Sequence, residues 1–299
     1  MKKFNFKKID AFTREGSNGN PAGCVYLKKA STENDMQKLA YELRGFVNEV
    51  VYCLPEEKND DTLYSLLYYS SECEVEFCGH ATIACMYDLI SSSPRLIDKK
   101  EIIINTKKGE LIVYNNIKYD DAVYITAPVP EYIGSNLSES EICKNLNIPE
   151  DWIDKEHPID IINVGLRTLI LPIEKVNNII VISPDINKLK NFCLNCDIDI
   201  IIVYSTEVKD NANKLHTRVF APKFGYLEDP ATGSGNSAIG YYILKNNMWD
   251  GTPISIEQGP SLDIPNIVKL DTIIAKNGER QVLFGGRATV RIEGSYLLK

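Results

Sequence analysis

No stretch of the 299-residue sequence approaches the roughly 20 consecutive apolar residues that a membrane-spanning helix requires, so no membrane partner is expected. The first eight residues, Met1 to Lys8, carry basic side chains. They lack the apolar segment and small-residue cleavage site of an export signal, and none is expected. Basic charge is also short: 33 Lys and Arg against 41 Asp and Glu leave a formal net charge of −8. Non-specific nucleic-acid binding rests on a basic footprint, so no nucleic-acid partner is expected either. Histidine is scarce, with only His80, His157 and His216. The cysteines include a single Cys-x-x-Cys pair, Cys193 with Cys196, and a tetrahedral zinc site normally needs a second ligand pair. No metal is expected. Eight cysteines without an export signal read as free thiols in a reducing, cytoplasmic setting.

What is present belongs to a folded chain. Hydrophobic residues make up 44% and charged residues 25%, the proportions of a globular protein. The length allows two ordinary domains. Short β-rich runs alternate with a few helices. Phe4 to Ala11 and Gly23 to Leu27 read as strands around a turn at Gly16 to Pro21. A helix is predicted over Thr32 to Leu43, capped by Ser31 or Thr32. Further strands are predicted at Val47 to Leu54, Leu63 to Ser70, Ile102 to Thr106, Leu111 to Tyr114, Val123 to Ala127, Ile198 to Tyr204 and Leu215 to Phe220. Ser138 with Glu141 forms a capping box. Ser183-Pro184 is expected to cap another helix with proline at its first position. Hairpin turns are expected near Gly165 and at Asn277-Gly278.

Two segments resemble each other. Cys78-Gly79-His80-Ala81-Thr82-Ile83-Ala84-Cys85-Met86-Tyr87 and Gly233-Ser234-Gly235-Asn236-Ser237-Ala238-Ile239-Gly240-Tyr241-Tyr242 both open on glycine, continue in small residues and end in an aromatic. Each follows an acidic stretch. A surface helix would show a polar face, so small residues all round suit a helix enclosed by strands. The expected architecture is two similar halves, each a sheet curled around one central helix. The boundary falls near Ala127-Pro128-Val129-Pro130, giving residues 1–127 and 128–299, with terminal strands able to pack back on the first half.

The start of a helix presents unpaired backbone N–H groups and the positive end of a dipole, and glycine there permits close approach of a ligand. Two such starts sharing one pocket would hold a carboxylate and stabilise an enolate-like charge. The same glycines also serve simple tight packing. In Val47-Asn48-Glu49-Val50-Val51, alternation places Glu49 on a face with Val47 and Val51. Desolvation there would raise its pKa toward neutrality, as a general acid/base requires; a solvent-facing glutamate on an edge strand is the plainer reading. His80 lies in a first helical turn, where the dipole favours neutral imidazole. Asp229 reads as a helix cap compatible with ligand contact. His157 and His216 read as structural.

Together these segments resemble the PhzF family, the phenazine-biosynthesis-like branch of the diaminopimelate-epimerase-like superfamily. The motifs are Ile9-Asp10-Ala11-Phe12-Thr13 with Gly19-Asn20-Pro21-Ala22-Gly23, then Phe77 to Thr82, then Arg218 to Pro222 with Glu228 to Ser234. Gln258-Gly259 and Phe284-Gly285-Gly286-Arg287-Ala288 complete the set. The resemblance implies an α+β fold of two pseudo-symmetric halves, usually a homodimer, and cofactor-independent proton transfer on a small anionic or carboxylated substrate. It implies Glu49, His80 and Asp229 as catalytic residues. It places Gly79, Cys78, Gly233, Ser234, Thr232 and Asn20 at the substrate. The superfamily's racemases use two opposed thiols, and Thr232 stands where the second would be; a single-thiol dehydratase using Cys78 and a non-catalytic binding protein remain as alternatives. Asn48 and Val50 replace the hydroxyl residues that flank the family's glutamate, and Ile264-Pro265 stands where an arginine often precedes the proline.

Overall fold

The computed structural model describes residues 1–56 and 62–299. In chain order the elements are β1 (Lys2–Ala11), β2 (Asn20–Tyr26), α1 (Glu33–Glu42), β3 (Glu49–Pro55), β4 (Leu63–Ser70), β5 (Glu74–Val75), α2 (Gly79–Ser91), β6 (Glu101–Thr106), β7 (Gly109–Asn115), α3 (Ile117–Asp120) and β8 (Val123–Thr126). There follow β9 (Glu131–Tyr132), α4 (Glu139–Leu146), β10 (Asp160–Asn163), β11 (Arg167–Pro172), α5 (Val176–Ile180), α6 (Ile186–Asn195), β12 (Ile200–Ser205) and β13 (Leu215–Phe220). The chain ends with β14 (Glu228–Asp229), α7 (Gly233–Lys245), β15 (Ile254–Gln258), β16 (Asn266–Ile274), β17 (Arg280–Gly286) and β18 (Ala288–Leu298). Strands and helices intermix in an α+β arrangement with mixed sheets. No helix among the described residues is long and apolar enough to cross a membrane.

The chain divides into two compact units, Met1–Thr126 with Gly285–Lys299, and Ala127–Phe284. In the first, the pairing runs β18–β1–β2–β3–β4–β6–β7–β8, with β5 added beside β4. Only β2–β3 and β4–β6 are parallel, because only those connections contain a crossover helix, α1 and α2 respectively. Helix α2 packs against β1, β2 and β3 but also against β8 and β18 at opposite ends of that order. The sheet therefore curves around it. Every residue from Ala81 to Met86 is buried, as is Asp88, so α2 has no solvent face beyond its first two residues until Tyr87.

The second unit repeats the scheme. Its order is β9–β10–β11–β12–β13–β15–β16, with β14 beside β13 and the parallel pairs at β11–β12 and β13–β15. Helix α7 packs against β10, β11, β12 and β16, and Gly235 to Ile243 are all buried. The two segments that look alike in sequence are thus the enclosed helices of two units with one topology.

Each sheet is covered on its other face as well. In β3, Val50 and Tyr52 pack against Met36, Leu39 and Ala40 of α1, and the Tyr52 hydroxyl donates to Met36 O at 2.7 Å. Cys53 points the opposite way, its thiol against Cys85 of α2. Burial on both faces explains why these strands read as continuous apolar runs instead of alternating ones. In the second unit, Leu189, Phe192 and Cys193 of α6 and Ile142 and Cys143 of α4 cover Leu169, Leu171, Ile201 and Val203.

The starts of α1, α4 and α6 follow the sequence with one correction. Thr32 and Ser138 accept from Asp35 N and Glu141 N as expected. Ser183-Pro184, however, precedes α6 without capping it; Asp185 is the cap, accepting from Lys188 N at 2.8 Å. Aspartate outcompetes the Ser-Pro start because its carboxylate reaches the third N–H and adds charge at the positive end of the dipole. The Cys193/Cys196 pair ends α6 as free thiols, one buried and one half-buried.

Close approach limits substitution where strands and helices interlock. A Cβ on Gly285 would lie 2.2 Å from the backbone oxygen of Val123 in β8. Backbone cannot step aside as a side chain can, so Gly285→Ala is expected to cost roughly 1–3 kcal/mol, seen as a lower urea midpoint with an unchanged denaturant slope.

Candidate active site

In the first unit, three chemically active side chains converge. Glu49 opens β3, and Cys78 and His80 flank Gly79 at the first turn of α2. Glu49 shares the strand face of Val51 and Cys53, the face turned toward α2, so alternation alone brings its carboxyl to the helix start. The strand begins at Glu49 and excludes Val47, but the face assignment is unaffected. Because β3 is paired with β2 and β4, Glu49 does not lie on an edge strand.

His80 Nε2 lies 3.4 Å from Glu49 Oε2, and His80 Nδ1 lies 3.4 Å from Cys78 Sγ. The ligand-type atoms of all three residues fall within 4.8 Å of one another. The separation of His80 from Glu49 suits an ion pair, yet Oε2 is buried and accepts no hydrogen bond among the described residues. Burial pushes the Glu49 carboxyl up to about 7, and no other cause contributes. The side chain as a whole keeps 24% of its exposure, although Oε2 itself is buried. A carboxyl with these properties can both take and return a proton near neutral pH.

Cys78 is the N-cap of α2 in extended geometry (φ −138°, ψ 111°), and its side chain makes no capping hydrogen bond. Thr82 instead secures the turn from inside, donating from Oγ1 to Cys78 O at 2.7 Å while sharing a 2.7 Å hydrogen bond with Tyr68.

In the second unit Thr232 caps α7 in nearly the same conformation (φ −122°, ψ 115°), again without a side-chain capping bond. The expectation that Asp229 caps this helix is corrected. Thr232, not Asp229, is the N-cap of α7; Asp229 lies in β14 and accepts from Thr232 Oγ1 at 2.6 Å. Gly233 is the first helical residue and Ser234 the half-buried second. A Cβ on Gly233 would meet Phe284 Cε2 at 2.3 Å, so tight packing accounts for this glycine directly. Asn20, the first residue of β2, is 2% exposed.

Gln258 holds the α7 start together. Its Oε1 accepts from Thr232 N at 3.0 Å and Asn236 Nδ2 at 2.6 Å, and its Nε2 donates to Asp229 O at 2.8 Å. Beside it on β15, fully buried Glu257 accepts from His216 Nδ1 at 2.9 Å and Asn213 Nδ2 at 2.8 Å. Burial alone would raise the Glu257 carboxyl, but the hydrogen bonds from His216, Asn213 and two backbone amides outweigh it and hold the group low. Arg218 grips Glu228 through two bonds of 2.9 and 2.8 Å, fixing β14 to β13. The sequence motif contained Gln258, but nothing in its spacing marked it as the clamp. An uncharged amide inside a buried strand was the available signal.

A family model described as phenazine biosynthesis-like protein, PhzC-PhzF, matches residues 9–294. An uncharacterised isomerase of Clostridium acetobutylicum is 25% identical over 100% of this chain and 99% of its own length. The Schizosaccharomyces pombe protein named antisense-enhancing sequence 1 is 28% identical, covering 98% and 99%. Among solved structures, a PhzF-family phenazine biosynthesis protein of Bacillus anthracis superposes with a TM-score of 0.86 at 24% identity, covering 100% of both chains.

Two stability outcomes follow from this geometry. Folded Glu49 keeps its proton up to about pH 7, whereas its ordinary value is 4.5. Between these values the native state binds more protons, so stability falls as pH rises through the window and stays lower above it. Glu49→Gln is therefore expected to stabilise the protein by on the order of 2–3 kcal/mol at pH 9 and to leave stability unchanged below pH 4.5, as read from urea unfolding at each pH. Gln258→Leu leaves Thr232 N, Asn236 Nδ2 and Asp229 O without this partner. It should cost roughly 1–3 kcal/mol per group left unpaired and speed amide hydrogen exchange in the first turn of α7.

Proposed function

Since the chain belongs to the PhzC/PhzF phenazine biosynthesis-like family, we propose that it is an isomerase moving a proton on a small carboxylated substrate, with Glu49 as the single acid/base. The observation that carries this reading is a carboxyl raised to about 7 by burial and set 3.4 Å from His80 at the first turn of α2. Near neutral pH such a group divides between carboxylate and acid, and one turnover uses both forms. The carboxylate removes a proton from a carbon next to the substrate's carboxyl or unsaturated system. The electron pair delocalises into that system as an enolate-like charge. The protonated Glu49 then returns the proton to another carbon on the same face, and the base is regenerated. No oxidant or second base enters the balance.

The backbone N–H groups at the α2 start stabilise the charge that exists only between the two steps, which is where stabilisation accelerates the reaction. His80, 3.4 Å from Glu49, orients the carboxyl. In the second unit the proposal assigns anion binding to the α7 start, with Gly233 and Ser234 as donors and Asp229 with Thr232 as polar contacts. The name of the Clostridium relative agrees with isomerase chemistry; the net charge of −8 gives no support to a nucleic-acid role.

A second reading has one observation in its favour. Cys78 Sγ lies 3.4 Å from His80 Nδ1, a thiol–imidazole contact that would serve a single-thiol dehydratase. A metabolite screen in deuterated water separates the two. Proton-shift chemistry predicts a substrate that gains mass by exchange, with exchange lost at least about a thousandfold in Glu49→Gln and still measurable in Cys78→Ser. The pH profile of kcat/KM should show an ionisation near 7. Exchange that survives Glu49→Gln and disappears in Cys78→Ser would establish the dehydratase reading instead.

A further inference from the structure

We propose that the first unit carries a further small-molecule site, a lysine-lined wedge between β1 and the end of β2 that takes an organic diphosphate. It uses no residue of the Glu49 cluster and stands independently of the proton-transfer reading.

The wedge arises where two paired strands part. β1 and β2 are antiparallel partners from Ala11 with Asn20 to Phe6 with Val25, and there the pairing stops. β1 runs on to Lys2, with Lys2 to Asn5 paired to β18 alone. β2 departs toward its other neighbour: Tyr26 aligns with Cys53 of β3, and Leu27 N donates to Cys53 O at 2.9 Å before the chain enters α1. Between the diverging segments lies a cavity of about 760 Å3, within the roughly 300–1,000 Å3 that suits a small ligand. Convergence at Phe6 and Val25 closes one end, which favours a compact molecule over an extended peptide. Alternate residues of Lys2–Asn5 turn their N–H and C=O groups away from β18, on the side that β2 has left.

Charge selects the ligand. Lys2, Lys3, Lys28 and Lys29 line the cavity, with Asp35 as its carboxylate. Asp35 is committed within the protein: it pairs with Lys2 and accepts from Thr32 Oγ1 at 2.6 Å, and these bonds hold its carboxyl below the ordinary range. Lys3, Lys28 and Lys29 are exposed and have no carboxylate partner among the described residues. Three unpaired cations thus gather around one concavity on a chain whose net charge is −8. Gathered like charges repel one another, and an anion that joins them relieves the repulsion. A single phosphate carries only about −1.5 to −2 at neutral pH, short of three cations, whereas two linked phosphates match them. Lysine ammonium groups bind phosphate as point charges, without a fixed geometry to satisfy. Half-buried Tyr26 and Leu27 add apolar surface for the rest of the molecule. The Tyr26 ring is anchored, its hydroxyl donating to Asp88 at 2.5 Å.

The test is calorimetric titration of the full-length protein with ADP, using AMP and pyrophosphate as comparators. The expected result is one ADP per chain, with affinity falling as salt is raised from about 50 to about 200 mM. AMP should bind at least about tenfold more weakly, and pyrophosphate should compete with ADP. Lys28→Glu combined with Lys29→Glu should weaken ADP at least about a hundredfold, and Lys3→Glu about tenfold. Lys276→Glu makes the same charge change at an exposed position between β16 and β17, and should leave the affinity as it was. Glu49→Gln should bind ADP like the wild type, which separates this site from the proposed reaction.

Absence of saturable ADP binding overturns the site. Affinity unchanged in the Lys28/Lys29 double variant also overturns it, because an anion held at a helix start would ignore those lysines. Equal weakening by Lys276→Glu would show general charge attraction and overturn it too. AMP binding as tightly as ADP overturns the diphosphate assignment.

Discussion

A helix without a polar face must be enclosed on all sides, and that requirement organises both units. Ala81 to Met86 in α2 and Gly235 to Ile243 in α7 are buried without interruption. Neither helix could rest on a flat sheet with one side in water. Each is instead surrounded by a mixed sheet that curves until strands from opposite ends of its order meet the same helix. The polar residues inside must then be satisfied locally. Thr82 bonds to Cys78 O, Asn236 to Thr232 O and Ser237 to Gly233 O, one turn back in each case. Asp88 is met by Lys7 at 3.0 Å and by Tyr26 at 2.5 Å.

Enclosure also fixes where chemistry is available. With the helix sides sealed by strands, the first turn is where a small molecule has backbone donors to meet. Both helices begin with an extended cap whose side chain makes no capping bond, and both caps are stabilised from within the helix or from a neighbouring strand. A serine or aspartate cap would stabilise the helix more and consume the same donors. The departure from good capping chemistry at these two starts, against ordinary caps at Thr32, Ser138 and Asp185, is a cost in stability at positions suited to binding. Glu49 shows the same trade. Its burial opposes ionisation, destabilising the fold above neutrality while giving the carboxyl the proton affinity the proposed reaction uses.

The units reach their helix starts by different means. In the first, Tyr68 and Thr82 secure the turn and leave Glu49, Cys78 and His80 as a compact reactive group. In the second, Gln258 takes the helix cap in both directions, with the buried His216–Glu257 contact beside it on the same strand and Arg218 locking the preceding β14. One topology thus supports a cluster of titratable groups in one unit and a network of fixed hydrogen bonds in the other.

Local pattern was enough to determine much of this. The apolar runs delimited β4 and β13 to the residue, the hydroxyl caps located α1 and α4, and the small-residue repeat identified the two enclosed helices. The order of motifs indicated the family. Period-two alternation put Glu49 on the face of Val51, since side-chain direction in a strand is set by neighbouring residues alone. Only the tertiary structure decided which face that was, because β3 is apolar on both sides and its sequence does not distinguish α1 from α2. It also moved the α6 cap to Asp185, displaced Asp229 from capping to holding Thr232, and made Gln258 the clamp of α7. Asp185 and Asp229 act on groups three residues away, but the Gln258 clamp depends on groups brought together by the fold, 29 residues apart for Gln258 and Asp229, where the sequence carries no periodic signal. The raised pKa of Glu49 belongs with them: desolvation is a property of everything packed around a carboxyl, and no residue adjacent in the chain supplies it.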